Sequence, residues 1–64
     1  MEQHILIIDD DTQELRKLRE ILTREGYNIM TATDKETASR IVEKVSIGFM
    51  LVKSSFFDFA LKHK

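Results

Sequence analysis

Apolar residues in this chain follow two rhythms. Ile5, Leu6, Ile7 and Ile8 form an unbroken branched run that stops abruptly at Asp9, Asp10 and Asp11. Such a run suits a strand covered on both faces, as in a parallel sheet. Leu15, Leu18, Ile21 and Leu22 then recur at three and four residue spacing, the stripe of an amphipathic helix. Asp11-Thr12-Gln13-Glu14 has the form of a capping box, with Asp11 as N-cap and Glu14 reaching back, and Gly26 supplies the left-handed residue that ends the helix. Arg16 with Glu20 and Glu20 with Arg24 are spaced for i,i+4 ion pairs on the outer side. Tyr27 to Thr33 is β-prone, with Tyr27, Ile29 and Thr31 alternating against Asn28 and Met30, and predicts a second strand. Asp34 is placed to cap a second helix whose stripe is Ala38, Ile41, Val42 and Val45, with Glu36 and Arg40 as a further pair. Ile47 to Val52 predicts a third buried strand.

Both helices are long enough to act as crossovers, so the strands should run parallel with right-handed connections. The fold class is α/β, a parallel layer with two flanking helices. Ser54 to Lys64 could start a short third helix, with Ser55 to Asp58 as a weaker capping box and Phe56, Phe57, Ala60 and Leu61 buried. About two turns of helix are marginal in isolation, so tertiary packing has to hold them.

The 64 residues make a single domain, 1–64. A chain of this length buries only about 60% of the surface its unfolded form exposes. Cysteine is absent, which removes disulfides and thiolate metal sites and leaves oligomerisation or a partner as the means of adding stability. Ten basic and eleven acidic residues give a net charge of -1, which argues against a surface that neutralises nucleic-acid phosphates. No apolar run approaches the roughly 20 residues of a membrane span, and Met1 to His4 lacks a basic signal-peptide start. The expected location is the cytoplasm.

Candidate chemistry concentrates at the acidic end of the first strand, where open α/β sheets place their sites. His4 and His63 have no partner spacing for a metal and are expected to be solvated near the termini. Ser54 and Ser55 lack a histidine base at a readable spacing, which leaves nucleophilic catalysis unsupported.

With these elements in series, the sequence resembles the receiver domain of bacterial two-component response regulators, the flavodoxin-like module that accepts a phosphoryl group on aspartate. Ile5 to Asp11, the helix from Thr12 to Leu22, REGYNIMTATD at Arg24 to Asp34 and the next amphipathic helix all look like that family's first half, over roughly residues 3 to 52. The resemblance implies a magnesium-binding role for Asp9 and Asp10, and places the phospho-acceptor immediately after Val52. That residue is Lys53. An ammonium with an ordinary pKa of about 10.4 cannot accept a phosphoryl group at pH 7 and removes one magnesium ligand. The family's Met-Pro and Asp-Gly turn is absent from SSFFDFALKHK, and its fourth and fifth strands have no counterpart here. Asp58, as a substitute acceptor, comes too late after the strand and is better placed to cap a helix.

Expected therefore is half of a flavodoxin-like receiver that is not an enzyme, with no cofactor beyond a weak residual magnesium site at Asp9 and Asp10. The resemblance implies three parallel strands in order 2-1-3, which makes the ends of strands one and three adjacent. Lys53 can then act as an internal counter-ion between Asp9 and Asp10, or reach past them to water. The function implied is protein-protein interaction in a phosphorelay, with a histidine kinase, a response regulator or an identical chain as partner. Phe56, Phe57 and Phe59 are the candidate interaction residues, or core. Pairing of two third strands, with the carboxyl-terminal segment, would give a homodimer with a sheet of order 2-1-3-3-1-2. Two alternatives remain. One is a magnesium-dependent phosphohydrolase of haloacid-dehalogenase type, whose Asp-x-Asp spacing Asp9 and Asp11 have but whose following threonine is displaced to Thr12. The other is a remnant or fragment of a longer regulator.

Overall fold

A computed structural model describes residues 3–62. The order is β1 (His4–Ile8), α1 (Thr12–Arg24), β2 (Asn28–Ala32), α2 (Lys35–Lys44), β3 (Ile47–Val52), a 3-10 turn (Ser54–Phe56) and α3 (Phe57–Lys62). The strands form one parallel sheet in the order β2-β1-β3. His63 lies outside the described residues.

β1 is central, and its branched run explains why. Leu6, Ile7 and Ile8 are almost wholly buried, because both sheet faces are covered over this strand. On one face Leu6 and Ile8 stand level with Met30 and Ala32 of β2 and with Met50 and Val52 of β3. That row packs against Ala38, Ile41 and Val42 of α2 and against Phe56 and Phe59 from the carboxyl-terminal segment. On the opposite face α1 lies over β1 and β2, with Leu15 buried and Leu18 and Leu22 half-buried. Ile21, at the margin of that stripe, stays exposed.

α1 opens and closes on side-chain and glycine devices. Asp11 accepts the N–H groups of Gln13 at 2.9 Å and Glu14 at 3.2 Å. The reciprocal half of the expected capping box is not made; Glu14 turns elsewhere, and the Asp11 N–H goes to Asp9 Oδ1 at 2.9 Å. At the other end the Tyr27 N–H bonds the Leu22 carbonyl and the Gly26 N–H bonds that of Thr23, the paired bonds of a Schellman closure. This closure requires the positive φ of +94° that Gly26 adopts. It also takes Tyr27 out of β2, which is one residue shorter at each end than its β-prone stretch. For α2, Asp34 accepts the Thr37 N–H at 2.7 Å. Val45 falls beyond that helix in extended conformation, at the turn into β3.

Four expectations need correction. β3 is not buried on both sides: Phe49 is 73% and Leu51 43% exposed, because α1 does not extend over it. The carboxyl-terminal segment begins as a 3-10 turn after Lys53, with no side-chain cap from Ser55, and this rotates its apolar set. Phe56 and Phe59 are buried, whereas Phe57 and Leu61 are 56% and 65% exposed. The i,i+4 charges on α1 and α2 make no ion pairs; among the described residues the pairs converge on Lys53. His4 is a half-buried member of β1 rather than a solvated end, and its Nδ1 is buried with no hydrogen-bond partner among the described residues.

Candidate functional site

The sheet ladder places the site. One residue past β1 the Asp9 N–H bonds the Ala32 carbonyl at 3.1 Å, and one residue past β3 the Lys53 N–H bonds the Ile8 carbonyl at 3.1 Å. These bonds fix Asp9 and Lys53 side by side at the carboxyl edge of the sheet, although Lys53 and Asp10 are 43 positions apart in the chain. The Lys53 ammonium lies 3.2 Å from Asp10 Oδ1, 3.6 Å from Asp9 Oδ1 and 3.9 Å from Glu14 Oε1. Asp9 is 7% exposed, the only buried charged side chain among the described residues. Asp10 and Glu14 are open to water.

The charges are shared unequally. The Asp11 N–H donated to its carboxylate holds Asp9 below the ordinary carboxylate value. Burial opposes this, while Glu14 and Lys53 reinforce it. Glu14 is pushed up, first by its side-chain hydrogen bond to Asp9 and then by the Asp9 charge. A proton added to this corner therefore goes to Glu14 before Asp9. Lys53 is held above the ordinary lysine value by its hydrogen bond to Asp10 and by the charges of Asp10 and Asp9. Asp34, at the start of α2, is lowered by the Thr37 N–H that it caps.

The pH dependence follows from these directions. Stabilisation from a raised lysine is fully present below its unfolded value of 10.5 and fades as pH rises through the higher folded value. Stabilisation from the lowered Asp9 is present above 3.8 and is lost as pH falls through its folded value. Glu14, raised from 4.5, works in the opposite sense: its cost to the fold develops above that pH and vanishes on acidification, offsetting part of the Asp9 loss. Lys53→Met should thus lower the thermal midpoint at neutral pH, with the gap to wild type closing beyond pH 10.5. A gap independent of pH would show that Lys53 stabilises through its stem alone.

The expected site residues separate into two groups. Asp9, Asp10 and Lys53 come together, and Glu14, read from sequence only as a capping acid, joins them from the first turn of α1. Its signal was its place one turn into the helix that leaves the acidic edge. Phe56 and Phe59 are core, and only Phe57 of the three phenylalanines is available for contact. Asp58 is in the first turn of α3, away from the acidic corner's ion pairs. Asp11 is engaged in capping, which separates its role from that of Asp9.

The Lys53 ammonium faces the carboxylate oxygens of Asp9 and Asp10 that a divalent cation would have to bind. No group of three or more His, Cys, Asp or Glu side chains arranged to hold a metal occurs among the described residues. No helix among them is long and apolar enough to cross a membrane. Comparison with known proteins finds no matching family model, no matching curated protein and no matching solved structure.

Proposed function

We propose that this chain is a receiver-like signalling module that works by protein-protein contact in a phosphorelay and not by aspartyl phosphorylation. Its likeness would be to the first half of a flavodoxin-like receiver. The observation that carries the reading is the Lys53 ammonium, 3.2 Å from Asp10 and 3.6 Å from Asp9, at the position after β3 where a receiver carries its acceptor. The parallel β2-β1-β3 sheet, with its acidic corner beside the end of β3, supports the same assignment. Lys53 then supplies in permanent form the positive charge that a cation would bring, and the corner is held in one charge state.

Such a module has a fixed surface to offer a histidine kinase, a response regulator or another copy of itself, without a phosphorylation cycle to change it. The reading is tested by incubating the protein with a small acyl phosphate and magnesium and measuring the intact mass. No covalent phosphoryl adduct is expected. An adduct on Asp9, Asp10 or Asp58, lost on mild base treatment, would overturn it.

A further inference from the structure

Among the described residues β3 has β1 on one side and no strand on the other. Its outer edge lines an open groove of about 750 Å³, walled by Val42 and Val45 near the end of α2 and by Phe57 and Leu61 of α3. From Ile47 to Val52 the strand carries no charge and no proline, the usual guards of a free edge. The geometry points to a second copy of this chain as the occupant, its β3 lying antiparallel along this β3 about a two-fold axis that passes at Leu51.

The register follows from the main chain. Because the Lys53 N–H points inward to Ile8, alternation turns the N–H and C=O of Val52 and Met50 outward, to the free edge. Below Met50 the alternation breaks, since the ladder shifts register between His4 and Ile5 and the His4 N–H bonds the Ser46 carbonyl. Only Met50 and Val52 therefore present an undisturbed pair of outward groups within the strand. An axis at Leu51 sets Met50 opposite Val52 of the second copy and Val52 opposite its Met50, so all these groups find partners. An axis at Met50 would instead set Val52 against Gly48, on the irregular side of the shift, and waste its bonds.

Side chains and charge agree with this choice. With the axis at Leu51, the two Leu51 side chains meet as a non-hydrogen-bonded pair, the closest kind in an antiparallel ladder. Phe49 then lies over the aliphatic stem of Lys53 of the second copy, whose ammonium is already neutralised by Asp9 and Asp10. Bare cations are thus not brought together. Phe49, Leu51, Phe57 and Leu61 expose on the order of 450 Å² per chain, given their fractional exposures. Covering them on both copies removes about 900 Å² before the strand main chain is counted, near the ~1,000 Å² at which specific interfaces begin.

The inference rests on reading the chain as an interaction module, but not on the charge state of its acidic corner. Because the chain has no cysteine, single cysteines report the register without interference. Residues directly opposite in this pairing lie within the ~4.4–6.8 Å Cα separation that a disulfide spans, and diagonal ones beyond it. Under mild oxidation Leu51→Cys should form a covalent dimer rapidly and Met50→Cys slowly. Wild type should sediment as a dimer as concentration rises from micromolar to millimolar, and Leu51→Glu, at a half-open position, should stay a folded monomer by circular dichroism. Rapid crosslinking of Met50→Cys instead of Leu51→Cys overturns the register. A wild-type monomer at millimolar concentration overturns the pairing, and it leaves the outcome of the phosphoryl-donor test to judge the functional reading separately.

Discussion

Leu6→Ala should leave the chain largely unfolded at 25 °C. Leu6 is fully buried at the centre of β1, between Met30 and Met50 and under α2. Truncating such a residue costs about 2–5 kcal/mol, the transfer loss plus the cavity left behind. A core of this size rarely supplies more than about 3–5 kcal/mol of net stability. The substitution therefore removes most or all of the margin. Ile8→Val is the matched control, since losing one methylene costs about 0.5–1.5 kcal/mol and should leave a cooperative transition at reduced midpoint. Urea unfolding followed by circular dichroism decides the matter. A native baseline for Leu6→Ala at low protein concentration would mean that the stability lies outside the β1 core. If β3 pairs two chains, the wild-type midpoint must also rise with protein concentration, as mass action requires.

Lys53→Asp should reverse the logic of the acidic corner. In wild type the carboxylates of Asp9, Asp10 and Glu14 converge on one ammonium. The aspartate variant replaces that attraction with a further negative charge and leaves the nearly buried Asp9 without its positive neighbour. In metal-free buffer its thermal midpoint should fall well below that of Lys53→Met, which removes the charge without inverting it. Hard oxygen ligands suit magnesium, so adding it should raise the Lys53→Asp midpoint while leaving wild type and Lys53→Met nearly unchanged. With few carboxylates and several retained waters, as magnesium prefers, that affinity is expected to be weak. Equal responses to magnesium in all three proteins would dissociate cation binding from residue 53.

Much of this architecture could be read from the chain, for physical reasons that differ between elements. The Ile5 to Ile8 run suits a strand covered on both faces, and the parallel direction of the strands followed once the helices were recognised as crossovers, while the central place of β1 and the order 2-1-3 came with the resemblance to a receiver. Asp11, Asp34 and Gly26 act through local hydrogen bonds and backbone angles, which sequence spacing dictates directly. The fate of apolar residues near the free edge was not legible. Ile47 to Val52 reads as a mostly apolar, buried strand, yet Phe49 and Leu51 lie in the open because coverage depends on the reach of α1, a tertiary quantity. The set of carboxyl-terminal aromatics shifted for a similar reason: a 3-10 turn in place of a capped α-helical start brought Phe59 inward and Phe57 outward.

At the acidic corner, the juxtaposition of Lys53 with Asp9 and Asp10 follows from strand order alone. The part played by Glu14 does not. It depends on Asp9 taking the Asp11 N–H, which frees Glu14 from the expected capping box and lets it face the other acid. A carboxylate that caps and one that joins a charged cluster have the same sequence signature, and only the rotation of the first helical turn separates them.

On the proposed reading, Lys53 takes the place of a cation between Asp9 and Asp10. Titration of wild-type protein with magnesium, following the backbone and carboxyl resonances of Asp9, Asp10 and Glu14 by NMR, decides whether it does. Only small, non-saturating changes are expected through the millimolar range, of the kind ionic strength produces. Saturable shifts centred on Asp9 and Asp10 at millimolar or lower magnesium, with displacement of the Lys53 ammonium signal, would contradict it.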